Sequence, residues 1–191
     1  MTGLLIDPLG SFDLIGRDEA NECLDRWGHK HGPNNRPLFG SPIDFGLREK
    51  GELIAVATAD RLIRPTCDFT RRDAFELSRL CAAAPRVSRL MLRLWTEIGY
   101  PEIVRTWGTH WALSYQDATQ HSGNLYRFDG WARLRFTSGG ADPRAGAETK
   151  NARKRWIWGW HPSQRQRDYR LEFEKKRLEE VAAKRRKPAN G

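Results

Sequence analysis

Arg79 lies within an apolar stretch, between Leu77 and Cys81. A guanidinium facing a core is costly unless it is paired, so Arg79 either bridges to a carboxylate such as Glu76 or binds a substrate. Ser114 and Asp117 close another apolar segment, and ligand sites of α/β proteins gather at strand ends. There Asp117 either serves as a general base, accepts a hydrogen bond from the exocyclic amine of a nucleobase, or holds a turn. Tyr126 stands near the end of a short helical segment, where it is either a packed aromatic or a catalytic group. The histidines His29, His31, His110, His121 and His161 show no close His-x-Asp or His-x-x-x-His spacing of a metal site. Cys23, Cys67 and Cys81 are odd in number and far apart. That pattern fits neither a disulfide framework nor a metal knuckle and suits a reducing cytoplasm.

The elements that must position these residues are legible in the hydrophobic pattern. Ala20, Cys23, Leu24 and Trp27 fall on one helical face, with Asp18 as its cap and Gly28 as its stop. Ile43, Phe45 and Leu47 alternate as a strand, and Glu49–Glu52 turns into a second strand over Leu53–Ala59, which predicts an antiparallel hairpin. A strand over Ala74–Ala82 leads to a helix with Val87, Leu90, Met91, Leu94, Trp95 and Ile98 on its apolar stripe, stopped by Gly99. Pro101–Gly108 reads equally as strand or helical turn. Strands over Trp111–Tyr115, Trp131–Thr137 and Arg155–Trp160 follow, with a short helix over Ser122–Phe128. Gln164–Lys187 is a charged helix candidate with favourably ordered Glu172–Lys176 and Glu180–Lys184 pairs. The order predicts an α/β fold: a mixed, mostly antiparallel sheet flanked by helices, with one parallel pair between Ala74 and Tyr115 and a basic helical C-terminal tail.

The charge is unevenly placed. The net charge of +9 arises entirely in residues 133–191, which hold 17 Lys or Arg and 7 Asp or Glu; residues 1–132 are close to neutral. Clustered cations on a neutral body suit a polyanion, because binding releases its counterions; a solvated, solubilising tail is the plainer reading. Trp156, Trp158 and Trp160 alternate behind Arg153-Lys154-Arg155. They share one sheet face, for burial or for stacking on extruded bases. The longest apolar run, Leu53–Ala59 with Thr58 inside it, is far short of the roughly 20 residues of a membrane helix. The first ten residues lack the basic region and cleavage site of a secretory signal.

The element order resembles the GNAT acyltransferase superfamily, as does Leu125-Tyr126-Arg127-Phe128-Asp129-Gly130-Trp131, where the glycine ends a helix and the next aromatic begins a strand. A narrower resemblance, to the Mom-like DNA-modification proteins of phages, rests on three blocks: Glu76-Leu77-Ser78-Arg79-Leu80, Ser114-Tyr115-Gln116-Asp117 and His121-Ser122-Gly123-Asn124-Leu125-Tyr126. Trp27-Gly28-His29 sits where that group has a Trp-His-Tyr segment. The resemblance implies a GNAT-like catalytic domain over 1–162 and a basic tail over 163–191. It implies addition of a carbamoylmethyl-like group to N6 of adenine in DNA, protecting it from restriction, in a bacterial host cytoplasm. It carries over Arg79, Ser114, Asp117 and Tyr126 as catalytic candidates, with the Tyr126 hydroxyl able to protonate a leaving thiolate.

The donor implied is acetyl-coenzyme A or another acyl- or glycyl-type group, near Arg86, Val87, Ser88 and Arg89. The Cys81–Ser88 stretch holds no glycine, unlike the usual GNAT pyrophosphate loop. Iron is a further cofactor associated with the Mom group. The expected partner is double-stranded DNA, held by Arg153, Lys154, Arg155, Lys184, Arg185 and Arg186; a homodimer is compatible. The alternative is an acetyl-coenzyme A-dependent N-acyltransferase acting on a small amine or protein.

Overall fold

A computed structural model describes residues 10–36, 41–137 and 154–162. The chain divides into two compact units, Met1–Ser114 and Tyr115–Gly191, the division falling within one strand. The first unit contains β1 (Gly10–Ile15), α1 (Arg17–Arg26), β2 (Ile43–Glu49), β3 (Glu52–Arg61), β4 (Ala74–Ala82) and α2 (Pro85–Leu94). A π-helical turn (Trp95–Gly99) and α3 (Tyr100–Trp107) follow, and β5 (Trp111–Asp117) begins in this unit. The second contains the end of β5, then α4 (Asn124–Arg127), β6 (Ala132–Thr137) and β7 (Arg155–Trp160). The strands form a sheet in the order β1-β2-β3-β4-β5-β7-β6. Strands β1 to β4 pair antiparallel, as do β6 and β7, and β4 pairs parallel with β5. This is the mixed α/β architecture the pattern predicts.

In the first unit the alternation of the strands separates two faces. Phe45 and Phe75 face the long helical segment: Phe75 packs on Trp95 and Tyr100, with ring centroids 6.0 and 5.8 Å apart. Val56 lies on the other face, buried with Cys23 and Leu24 of α1. The β2–β3 hairpin closes through Lys50 and Gly51 as expected, both at positive φ.

Three local expectations need correction. β1 has no counterpart in the sequence reading, because its six residues, Gly10–Ile15, are too short a run beside the stronger helical stripe that follows. Asp18 does not cap α1: the helix begins two residues earlier than that cap implies, at Arg17, Gly16 is its N-cap, and no side chain caps it. Asp18 and Glu19 instead occupy the first turn, where the helix dipole favours negative charge. Gly99 does not stop its helix. It stays helical (φ −68°), and it is small because an added Cβ would lie 3.1 Å from the Phe45 ring. The helix continues through Pro101, which has no N–H to donate. The widened turn immediately before α3 accommodates that loss. Gly108, at φ 66°, ends the segment, so Pro101–Gly108 is mainly helix.

The second unit is built around buried aromatics. Tyr126 lies between Trp131 and Trp158, with centroids 5.2 and 5.6 Å away. Trp158 Nε1 donates to Gln116 Oε1 at 2.8 Å. The Arg133 guanidinium covers Trp156 and Trp158 at 4.4 and 5.1 Å, so those two tryptophans do share a face. The Gln164–Lys187 helix and the 163–191 tail lie outside the described residues.

Candidate active site

The first unit buries a dense polar cluster on the α1 side of its sheet. Asp44 of β2 is opposite Thr58 of β3, and Asp60 of β3 is opposite Glu76 of β4. All four side chains are buried. The sequence places polar residues here at alternate inward positions, and burial is tolerable only if each finds a partner.

Arg17, the first residue of α1, supplies the central cation. Its Nε donates to Asp44 Oδ2 at 2.6 Å, and its Nη2 donates to Asp44 Oδ1 and Asp60 Oδ1, each at 3.0 Å. A cation at a helix N-terminus opposes the dipole; two carboxylates outweigh that cost. Asn34 comes from the loop after α1. Its amide donates to Asp60 Oδ2 at 2.7 Å and to Thr58 Oγ1 and Ser78 Oγ at 3.0 Å. Its backbone N–H donates to Asn21 Oδ1 at 2.6 Å, and its carbonyl accepts from Arg17 Nη1. Asn34 thereby pins the loop to the sheet and delivers Arg36, whose Nη1 stands 2.7 Å from Glu76 Oε1.

A register shift shapes β4 at this point. Thr58 faces Arg79 and Ala59 faces Leu77, which leaves Ser78 without a partner across the ladder. Such a bulge re-aims the side chains around it. Strict alternation would turn Arg79 away from Glu76. Instead Arg79 feels the charges of Arg36, Glu76, Asp60 and Arg17. The parallel β4–β5 ladder ends close by: it joins Ala74–Leu77 to Trp111–Ser114, while β4 runs on to Ala82. Ser114 Oγ donates to the Leu77 carbonyl at 3.0 Å at the end of that ladder.

The carboxyls titrate differently. Burial pushes Glu76 up, against the opposing Arg36 charge. Burial also pushes Asp44 up, and Arg17 only partly offsets it. Asp60 feels the same burial, but hydrogen bonds from Ser78 and Asn34 and the Arg17 charge outweigh it and hold its carboxyl below the usual range. Burial lowers Arg79, and Arg36 adds repulsion.

Arg79 thus stands in this cluster, while Ser114 is bonded to the Leu77 carbonyl at the end of the β4–β5 ladder. Asp117 and Tyr126 belong to the second unit. The Asp117 carboxylate accepts from the Thr119 N–H and hydroxyl at 2.9 and 2.5 Å, holding a turn. Tyr126 packs between two tryptophans as described. Arg86, Val87, Ser88 and Arg89 form the first turns of α2. Pro85 precedes them, and the Val87 N–H donates to the Ala84 carbonyl at 3.0 Å. Lys154 and Arg155 precede and open β7; Arg153, Lys184, Arg185 and Arg186 lie outside the described residues. Among the described residues no three His, Cys, Asp or Glu side chains gather as a metal site, and no helix is long and apolar enough to cross a membrane.

Sequence reasoning missed Arg17, Asn34, Arg36, Asp44 and Asp60. The available signal was Asp44 and Asp60 at inward positions of otherwise apolar strands. Ser78 appears in a recognised block without an assigned role, and Glu76, expected as a carboxylate that Arg79 could bridge, is paired with Arg36 instead.

No family model and no curated protein matches the chain. Solved structures do. The ribosomal-protein-S18-alanine N-acetyltransferase from Escherichia coli aligns with a TM-score of 0.54 at 15% identity, covering 81% of this chain and 95% of that one. IAA acetyltransferase from Bacillus cereus aligns at 0.54 and 13%, covering 80% and 99%. Nourseothricin acetyltransferase aligns at 0.52 and 14%, covering 80% and 98%. At such identities the likeness establishes the fold, which is the GNAT fold expected from the sequence.

Proposed function

We propose that this chain is a GNAT-type transferase that moves an acyl group from a thioester donor to an amine. The observation that carries the reading is Glu76, a carboxyl with its side chain 7% exposed and paired with Arg36, beside the bulge where the β4–β5 ladder ends. The structural neighbours named above are acetyltransferases, which supports the same reaction class.

An amine is mostly protonated near neutral pH, so the acceptor nitrogen must shed a proton before or as it attacks. Glu76 takes that proton. Burial makes its carboxylate a stronger base than an ordinary glutamate, and the Arg36 charge opposes that shift without cancelling it. The departing sulfur leaves as a thiolate and takes its proton from water. The donor, acetyl-coenzyme A or a related thioester, would supply an electrophilic carbonyl carbon. The start of α2 fits its pyrophosphate by charge rather than by a backbone cradle. Ala82, Ala83 and Ala84 replace glycines, Pro85 brings no N–H, and the Val87 N–H is engaged; Arg86 and Arg89 supply the cations.

Purified protein should release free thiol from acetyl-coenzyme A in the presence of a reactive amine. Glu76→Gln should slow that release on the order of 100-fold or more, the scale of lost general-base catalysis. Thiol release unchanged by Glu76→Gln would reject the assignment.

A second reading places the acceptor in DNA, as the N6 amine of adenine. It is favoured by where the Glu76–Leu80 block lies: Glu76, Ser78 and Arg79, part of the Mom-like resemblance, are the β4 residues of the buried cluster. The +10 charge of residues 133–191 suits a DNA backbone. Nucleoside mass spectrometry of plasmid DNA from expressing cells tests it; unmodified adenine throughout would remove it.

A further inference from the structure

Three guanidiniums enter the buried cluster, and they are not equivalently satisfied. Arg17 is chelated by Asp44 and Asp60. Arg36 touches Glu76 at 2.7 Å, yet its Nη1 is buried without a hydrogen bond, so the contact is an ion pair with poor alignment. Arg79 has no carboxylate within 4.0 Å among the described residues. Among the described residues its one hydrogen bond runs from Nη1 to the Ser78 carbonyl at 2.8 Å, and its Nε is buried with no acceptor there.

This arrangement is unfavourable as it stands. A buried N–H without an acceptor costs free energy. Arg79 also lies near a like charge: Arg36 is the strongest charge acting on it, ahead of Glu76 and Asp60. The bulge at Ser78 is what turns Arg79 into this position. Arg79 Nε and Arg36 Nη1 are therefore two buried donors on neighbouring guanidiniums. Planar guanidiniums of this kind match the oxygens of a carboxylate or phosphate.

We propose that Arg79, with Arg36 beside it, is the receptor for an oxyanion, a carboxylate or phosphate group carried by the acceptor. The binding claim stands on the cluster itself; assigning the anion to the acceptor rests on the transferase reading above. Arg79 is then a specificity residue, selecting acceptors that bear an anionic group near the reacting amine and rejecting neutral ones.

The test uses the full chain. Inorganic phosphate and, separately, acetate are titrated against the Arg Nε–H resonances of the isotope-labelled protein. The Arg79 signal is identified by its loss in Arg79→Lys. The expected result is a saturable shift of that signal with at least one of the two anions, and the responding anion identifies the class. Read on the Nε–H signal of the neighbouring Arg36, which every variant keeps, Arg79→Lys, which keeps the charge without the planar fork, should weaken binding about 10-fold or more. Arg79→Gln should abolish it, and the exposed Arg105→Gln should leave it unchanged. No saturable shift with either anion, or equal binding by wild type and Arg79→Gln, would overturn the proposal. Anion binding without thiol release would leave this site standing and remove the transferase reading. Transfer to neutral amines without anion binding would do the reverse.

Discussion

Asp60 accepts hydrogen bonds from Arg17, Asn34 and Ser78, and its carboxyl is held below the usual range. Its unfolded value lies near 3.9. The stability it contributes is therefore present above about pH 4 and is lost as pH falls through its lower folded value. Glu76 and Asp44, both raised, act with the opposite sign: their contribution is present below about pH 4 and is lost as pH rises through their folded values. Urea unfolding of Asp60→Asn should show a deficit of roughly 2–3 kcal/mol at neutral pH, the cost of losing hydrogen bonds to a charged group. The deficit should shrink in acid, where the wild-type carboxyl is itself neutral; a gap independent of pH would contradict this. Arg17→Met leaves Asp44 and Asp60 buried without their cation and should cost about 3–5 kcal/mol, read by the same measurement. Arg79 was legible as an anomaly because it interrupts an apolar stretch. Arg17 was not, because an arginine at the start of an amphipathic helix looks solvated until β2 and β3 are laid beside it. Asn34 and Arg36 were hidden for a similar reason: loop residues carry no periodicity that reports what they touch.

At the scale of elements, the hairpin, β4 and the α2 stripe follow directly from hydrophobic spacing. The Gly99 misreading shows the limit of that method. A glycine in a helical pattern resembles a stop, and only the packed structure shows the Phe45 ring occupying the space of its Cβ. Phe45 is itself stacked on Phe12 at 5.1 Å and is 3% exposed, so it has little room to yield. Gly99→Ala should accordingly destabilise by about 1–2 kcal/mol, as overpacking does, despite alanine's better helix propensity; a rise in Tm would show that Phe45 can move. Gly123 has a stricter requirement. At φ 78° an added Cβ would fall 2.5 Å from Gln116 Oε1 and 2.6 Å from Trp158, two side chains that already bond each other. Gly123→Ala should cost at least about 2 kcal/mol and redden the emission of Trp158 as its pocket opens. An unchanged spectrum and Tm would refute that packing.

For the whole molecule, charge and fold supply different kinds of information. The GNAT fold, legible from element order, is the frame on which the proposed reaction class rests. The concentration of +10 in residues 133–191 bears on the partner. If DNA is the acceptor, log affinity should fall linearly with log salt, at about −0.9 per phosphate contacted. Removal of residues 163–191, which hold ten of the basic side chains, should flatten that slope. An unaltered slope would move the contact elsewhere. The β4 cluster is common to both acceptor readings, so the most direct test addresses Glu76 without assuming an acceptor. Nucleosides and soluble amines from cells expressing wild type or Glu76→Gln are compared by mass spectrometry, with both proteins shown to be folded. At least one N-substituted amine or nucleoside should be present with wild type and absent with Glu76→Gln. Identical profiles from the two strains would contradict it.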